Sequence, residues 1–496
     1  MAAGMETNVI YCGDNLPILR NRDYFPDNSV HLIYLDPPFN SKKEYNLIYT
    51  EKSGEPSQAQ VKAFSDFWRW DDAAERTYAE IVSGGAAPPT VAELIGALRQ
   101  GLDESDMMAY LVMMTARLVE LRRVLRDDGS LYLHCDPAAG HYLKIVMDRI
   151  FGPNRFRREV IWRSGWVSGF KSAARNWVRN HDTLLYYTKS DSFTFEKDKA
   201  YMPHPERYER RGGGGNPKGV AMDDVWTDIY SPWIMSFSKE KLGYQTQKPL
   251  ALLRRVIEVS SEPGDIVLDP FCGCGTAVIA AQALGRRWIG IDITHLAVAL
   301  IRERLHRSFK ATFPDPRKIP VIGEPVDLNG AKALAEMEPD GREQFQWWAL
   351  SLVGVHPIAS EKKRGADKGI DGLRTFVADK TGKVGTIVVQ VKSGHVSATQ
   401  VRDLKGTMGR RGAPMGLFIT LNPLTKPMNE EAVSAGFYES EFWGKRFRQV
   451  QIVTIQDLLK GKLPDLPPVA PEDVMKAHAI DEKAKQPKLI VEADAG

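Results

Sequence analysis

The stretch that most narrows what this chain can fold into is DIVLDPFCGCGTAVIAAQALGRRWIGIDI, residues 265–293. An apolar run stops at Asp-Pro, a turn carrying Gly273 and Gly275 follows, then an Ala-rich segment, then a second apolar run ending in Asp292. Strand, glycine turn, helix, strand is the unit of a parallel sheet, because only a crossover helix returns the chain to lay the second strand alongside the first. Glycines in that turn let backbone approach a ligand closely, with the first N–H groups of the helix facing it. An acid closing the second strand of such a unit commonly accepts hydrogen bonds from ribose hydroxyls. The spacing departs from G-x-G-x-x-G, which disfavours NAD. Taken alone, these residues fit a nucleoside pocket and a plain tight turn equally well.

A second unit of the same rhythm runs from Asn8 to Asp36: VIYC, a helix-like NLPILRNR, the turn FPDNS and the strand VHLIYL. It empties into Asp36-Pro37-Pro38-Phe39. Between the units lie a helix around Met107 to Leu125, a strand SLYLHCD, a helix through YLKIVMDRIF and then a basic, aromatic stretch. The Pro-containing TFPDPRKIP sets a domain end near residue 315 and a linker over 316–340. A further α/β block follows over 341–463, with a Pro-rich tail over 464–496. Composition serves to exclude. At 43% hydrophobic and 26% charged, the 496 residues are neither disordered nor fibrous. No apolar run is long enough for a bilayer and no N-terminal stretch reads as a secretory signal, so the expectation is a cytoplasmic protein with no membrane partner. Cys12, Cys135, Cys272 and Cys274 are too scattered for a disulfide framework or structural zinc. A net charge of +3 is too small to argue for nucleic acid by itself.

LDPFCGCGT together with DPPF resembles the two signature motifs of the DNA amino-methyltransferases that use S-adenosylmethionine. VIYCGDNLPIL, GYQTQKPLALLRRVI, HDTLLYYTKS and DVWTDI resemble further segments of that family, so the likeness covers most of residues 8–310. The catalytic loop precedes the cofactor loop, as in the permuted beta class. The resemblance implies a doubly wound, Rossmann-like α/β methyltransferase sheet in permuted order over 1–315, complete if the two ends of the module sit side by side. It also implies a prokaryotic or phage-type, nucleoid-associated setting. By resemblance, Asp269, Phe271, Gly273, Gly275 and Thr276 line the methionine and ribose portions of S-adenosylmethionine. Asp292 takes the ribose hydroxyls, Asp14 sits beside the adenine ring and Lys248 lies near the carboxylate end. Cys274 stands where relatives often carry Ser.

Asp-Pro-Pro-Phe has a chemical logic. An exocyclic amino group on a base is a poor nucleophile because its lone pair is shared with the ring. Two fixed acceptors, the Asp36 carboxylate and the Pro37 carbonyl, favour a more tetrahedral nitrogen and draw off developing positive charge. Pro37 and Pro38 lock the dihedrals that aim the carbonyl, and Phe39 stacks on a base rotated out of the duplex. Asp at the first position is usual for adenine N6 enzymes of the family, and Ser for cytosine N4 enzymes. Arg155, Arg157, Arg158, Arg163, Lys171, Arg175 and Arg179, interleaved with Trp162, Trp166, Phe170 and Trp177, suit phosphate contact and base stacking. The stretch also falls where permuted members of the family carry target recognition, so the resemblance implies that residues 155–240 are an inserted target-recognition region on double-stranded DNA. A homodimer or a partner subunit of a restriction-modification system is compatible with the family.

In the last block, GIDGLRTFVADKTGKVGTIVVQVKS places Asp371 before one strand, with Gln390 and Lys392 on one face of the next. Two oxygens for Mg²⁺ and an ammonium for the transition state then converge. The block resembles the Mrr-like branch of the restriction-nuclease fold, with Glu343 on the preceding helix as a further donor. The resemblance implies a methyltransferase fused to a nuclease-like module. The alternative is a solitary or subunit methyltransferase whose last block only grips DNA or a partner.

Overall fold

The computed structural model describes residues 5–38, 44–50, 56–65, 68–166, 175–203, 217–231, 247–338, 340–357, 369–381 and 383–468. The chain divides into two compact units, one of residues 1–45 and 63–323, the other of residues 46–62 and 324–496.

The first unit is built on a nine-stranded sheet. From edge to edge it runs Val225–Trp226, Phe156–Arg163, His181–Thr188, Leu125–Cys135, Val30–Leu35, Ile266–Asp269, Arg287–Asp292, Val9–Cys12 and Val321–Ile322. His181–Thr188 is antiparallel to both neighbours, and every other pairing is parallel. The expected closure is present: Val9 pairs with Ile289 and Cys12 with Asp292. Alternation along the strands explains the layers. Ile33, Leu35, Leu131, Leu133, Ile289 and Ile291 pack with the Asp106–Val124 and Pro137–Phe151 helices on one face. Leu32, Tyr34, Tyr132, Val267 and Trp288 pack with the Leu250–Ser260, Thr276–Ala283 and His295–Ser308 helices on the other. With both faces covered, the sheet is doubly wound.

Three boundaries differ from the sequence-based expectation. The first unit continues past residue 315, because Val321–Ile322 is its edge strand, paired with Ile10 and Tyr11. The supposed linker also contains the Leu328–Glu336 helix, whose Ala331 and Ala335 are buried in the second unit's core. The 155–240 stretch is only partly an insertion, since it contributes three strands to the main sheet. Trp162, expected to stack on bases, is 2% exposed and donates its indole N–H to the Ile229 carbonyl. Arg155 and Arg157 both pair with Asp191. Trp177 at 97% and Trp166 at 50% exposed keep a face to solvent. Phe170 and Lys171 lie outside the described residues.

The second unit has a five-stranded sheet in the order His356–Pro357, Gly372–Val377, Val384–Lys392, Met415–Thr420, Val450–Thr454. Its first two pairings are antiparallel and its last two parallel. Phe345 and Trp348 of the Gly341–Leu352 helix cover one face with Ile387, Val389 and Leu417. Val401 and Leu404 of the Ala398–Arg411 helix cover the other with Val388 and Phe418.

Candidate active site

Val30–Leu35 and Ile266–Asp269 lie side by side and parallel, Leu32 opposite Val267 and Ile33 opposite Leu268. Asp36 and the Asp269-Pro270 corner therefore emerge together at the carboxyl edge of the sheet, where parallel α/β folds bind ligands. Asp36 has two unlike oxygens. Oδ2 accepts from the ammonium of Lys248, whereas Oδ1 is buried and, among the described residues, has no hydrogen-bond partner. Pro37 is buried beside it, and Phe39 lies outside the described residues. Asp269 is 5% exposed and accepts from the Phe271 N–H at 3.1 Å. Burial pushes its carboxyl well above the usual range, with the Asp36 and Asp292 charges adding and Lys248 opposing.

Tyr34 shares a strand face with Asp36 and leads to a buried chain that sequence reasoning missed. Its hydroxyl meets His134 Nδ1 at 2.8 Å, and His134 Nε2 meets Asp182 Oδ2 at 3.4 Å. Asp182 is clamped in turn by Arg179, which also donates to Asp136 at 3.2 Å. Burial works against the ionised Asp182, yet the His134 contact and the Lys248 and Arg179 charges hold its carboxyl well below the usual range. Burial raises the Tyr34 hydroxyl, helped by the charges of Asp36, Asp269 and Asp182.

The glycine turn bends as its residue types predict. Gly273 has φ +47° and Gly275 φ +76°, both left-handed. A Cβ on Gly275 would lie 2.7 Å from Ile301 Cγ1. Asp292 ties this turn to the helix that follows: Oδ2 accepts from the Gly273 N–H at 2.9 Å, and Oδ1 from the Thr294 N–H and hydroxyl at 2.9 Å. Burial pushes its carboxyl up to about 6 against the pull of those bonds. The next residue, Ile293, is an apolar side chain 62% exposed at this edge, a candidate ligand wall that was not foreseen. Phe271 is half-buried against the core. Thr276 is 6% exposed and accepts from Arg304 at 3.3 Å, so its hydroxyl is engaged inward.

Asp14 caps the Asn15–Arg20 helix through the Leu16 N–H at 3.0 Å and accepts from Arg117 at 2.6 Å. Arg117 also donates to Asn15 at 2.6 Å, and Asn15 in turn donates to the Pro270 carbonyl at 2.6 Å, tying the chain's first turn to the glycine loop. Asp14 lines a cavity of about 730 Å³ with Leu16, Trp68, Met113 and Arg117. None of the other expected cofactor residues lines that cavity.

In the second unit Asp371 accepts from the Val391 N–H at 2.6 Å and from the side chain of Gln346. Burial raises its carboxyl, with Lys392 opposing. The Asp371 N–H donates to Val389, so Gln390 is its near neighbour across the hairpin. Gln390 is 2% exposed and its Oε1 is buried with no partner. Glu343 lies in the first turn of the same helix as Gln346, but it is Gln346 that bonds Asp371. Among the described residues no group of three His, Cys, Asp or Glu could hold a metal ion. Among the described residues the expected cation donors, Asp371 and Gln390, offer one carboxylate and one amide.

Comparison with known proteins gives two matches along the chain. A DNA methylase family matches residues 30–303, more than half of the 496, and a restriction endonuclease family matches residues 334–459. Among curated relatives, the type II methyltransferase M.BamHI of Bacillus amyloliquefaciens is 29% identical over 61% of this chain and 57% of its own length. M.HpaI of Haemophilus parainfluenzae is 28% identical over 49% of this chain and 77% of its own. The chain thus spans a little over half of the first relative. A solved Thermus thermophilus putative DNA modification methylase, complexed with S-adenosylmethionine, aligns at 19% identity over 60% of this chain and 93% of that one, with a TM-score of 0.35. The cytosine-N4-specific PvuII methyltransferase aligns at 14% over 64% and 98%, with a TM-score of 0.37. Among the described residues no helix is long and apolar enough to cross a membrane.

Proposed function

This chain belongs to the DNA methylase family, and from that premise we propose that it moves a methyl group from S-adenosylmethionine to N6 of an adenine turned out of double-stranded DNA. What supports this above all is Asp36, a carboxylate beside the glycine-turn strand with one buried oxygen that has no partner. A buried acceptor left open is costly in a folded chain unless a ligand supplies the donor. The glycine turn, with two left-handed residues and the Thr276–Ala283 helix N-terminus behind it, fits a ligand that needs close backbone approach.

Bound S-adenosylmethionine supplies an electrophilic methyl on a sulfonium sulfur. Asp36 Oδ1 and the Pro37 carbonyl accept from the two amino protons, which localises the nitrogen lone pair on the side facing the donor. As the N–C bond forms, the S–C bond breaks and its electron pair stays on sulfur. The surplus amino proton leaves by way of the Asp36 acceptor to water. Holding nitrogen and donor in line supplies much of the acceleration. The chain's Asp at the head of the loop favours adenine over cytosine.

Labelled S-adenosylmethionine and duplex DNA, followed by nucleoside analysis, test the proposal: N6-methyladenine is expected, with Asp36→Ala reduced by roughly 100-fold or more. N4-methylcytosine would overturn the choice of base, and a normally active Asp36→Ala the catalytic role.

For the second unit we propose a magnesium-dependent DNA-cutting role, in which Asp371 and Gln390 would hold the cation and Lys392 would offset the phosphate charge. The orphaned Gln390 Oε1 favours it. The burial that raises the Asp371 carboxyl weakens its hold on a cation and favours instead a block that grips DNA without cutting.

A further inference from the structure

Lys248 donates to the engaged oxygen of Asp36. By family resemblance it was expected near the carboxylate end of the cofactor; in the structure its ammonium bonds Asp36. We propose that Lys248 is a positioning residue for Asp36, holding Oδ2 so that Oδ1 is turned toward the target amino group. This rests on the assignment of Asp36 as the amino-group acceptor.

Three observations converge. Both side chains are largely withdrawn from water, Lys248 at 12% and Asp36 at 16% exposed, so the contact is not a surface pair that solvent would dissolve. A carboxylate held at one oxygen by an ammonium cannot rotate freely, and the other oxygen is then presented in a fixed direction. Oδ1 is that other oxygen, buried and without a donor, which is the state expected of an acceptor kept for a substrate. Lys248 is also anchored. It precedes Pro249 and the Leu250–Ser260 helix, whose Leu252, Leu253, Val256 and Ile257 are buried, while Gln247 on its other side is 3% exposed.

The electrostatics of the neighbourhood argue against a cofactor carboxylate as the partner of Lys248. Its charge acts on Asp269 and Asp182 as well as on Asp36. An ammonium bonded to Asp36 and facing the ionised Asp182 offers less attraction to a further carboxylate, and those two acids repel it. The same acids favour the cationic sulfonium end of the donor, which is where the methyl must arrive.

The test separates positioning from cofactor contact. Lys248→Met keeps the aliphatic stem and removes the charge, and Lys248→Arg restores a cation. The quantities measured are kcat at saturating S-adenosylmethionine and DNA, the cofactor Kd by calorimetry, and Tm. Lys248→Met is expected to lower kcat by roughly 100-fold, comparable to loss of one preorganised donor, with Kd within about threefold of wild type and Lys248→Arg recovering part of the loss. Against the residual activity of Asp36→Asn, adding Lys248→Met is expected to cost nothing more, because the two act as one. A Kd raised about tenfold with kcat at saturation unchanged would overturn the proposal and make Lys248 a cofactor ligand. Wild-type kcat in Lys248→Met, or a full additive loss in the double variant, would also overturn it. Should Lys248→Met melt early, Lys248→Gln supplies the same comparison. Failure of the methyltransferase assignment itself would show separately, as wild-type protein that transfers no methyl group.

Discussion

Gly275→Ala tests whether the glycine turn is held by geometry that only glycine satisfies. Two costs are separable. Gly275 sits at φ +76°, where an L-residue pays roughly 1–2 kcal/mol. The new methyl would also lie 2.7 Å from Ile301 Cγ1, 3.3 Å from Cγ2 and 3.4 Å from Cβ. Ile301 is fully buried in the His295–Ser308 helix and cannot swing aside, so overpacking adds about 1–3 kcal/mol. Urea unfolding followed by circular dichroism should therefore show a loss of about 2–5 kcal/mol. Ile301→Ala removes both crowding carbons. The double variant should then be more stable than the sum of the singles by the steric share alone, about 1–3 kcal/mol, leaving the backbone share in place. A loss under about 0.5 kcal/mol for Gly275→Ala, or strict additivity with Ile301→Ala, would refute the reasoning.

Two further outcomes follow from the two units. Burial raises Asp292 from the usual 3.8 to about 6, so between those values the folded protein holds a proton that the unfolded chain has released, and stability falls as pH rises through the window. Asp292→Asn lacks this loss. Its urea midpoint relative to wild type should improve on going from about pH 4 to pH 7, by up to about 3 kcal/mol in stability; a difference independent of pH would show that Asp292 does not titrate there. In the second unit, unmethylated plasmid in Mg²⁺ should be cut by wild type, spared by Lys392→Ala and spared when EDTA is added. Equal cutting by both proteins, or none by either, removes the nuclease role.

The α/β rhythm was legible because runs such as VHLIYL and WIGIDI carry apolar residues on both faces, as strands covered on two sides must. Placing Val9–Cys12 beside the strand that ends at Asp292 needed only the motif order. The end of the first unit was not legible, because Val321–Ile322 is two residues long and carries no period. Trp162 was misread for a different reason. In FRREVIWR the alternation buries Val160 and Trp162, while the arginines around them give the stretch the composition of a DNA-contacting surface. Asp36 announced itself through a local motif. The contacts that surround it did not: Tyr34 and His134 are 100 residues apart, His134 and Asp182 are 48 apart, and Asn15 and Pro270 are 255 apart. No periodicity in one sequence encodes such pairings.

The strand Val9–Cys12 is flanked by Arg287–Asp292 and Val321–Ile322, and its first partner arrives some 280 residues later. At ribosomal speeds of about 5–20 residues per second it spends roughly a quarter-minute to a minute with both edges open. Such long-range closure is slow to fold and invites wrong pairing meanwhile. The first strand to leave the ribosome is thus among the last to be paired, while the half of the sheet beyond Val30–Leu35, away from Ile266–Asp269, has all its strands translated by residue 226.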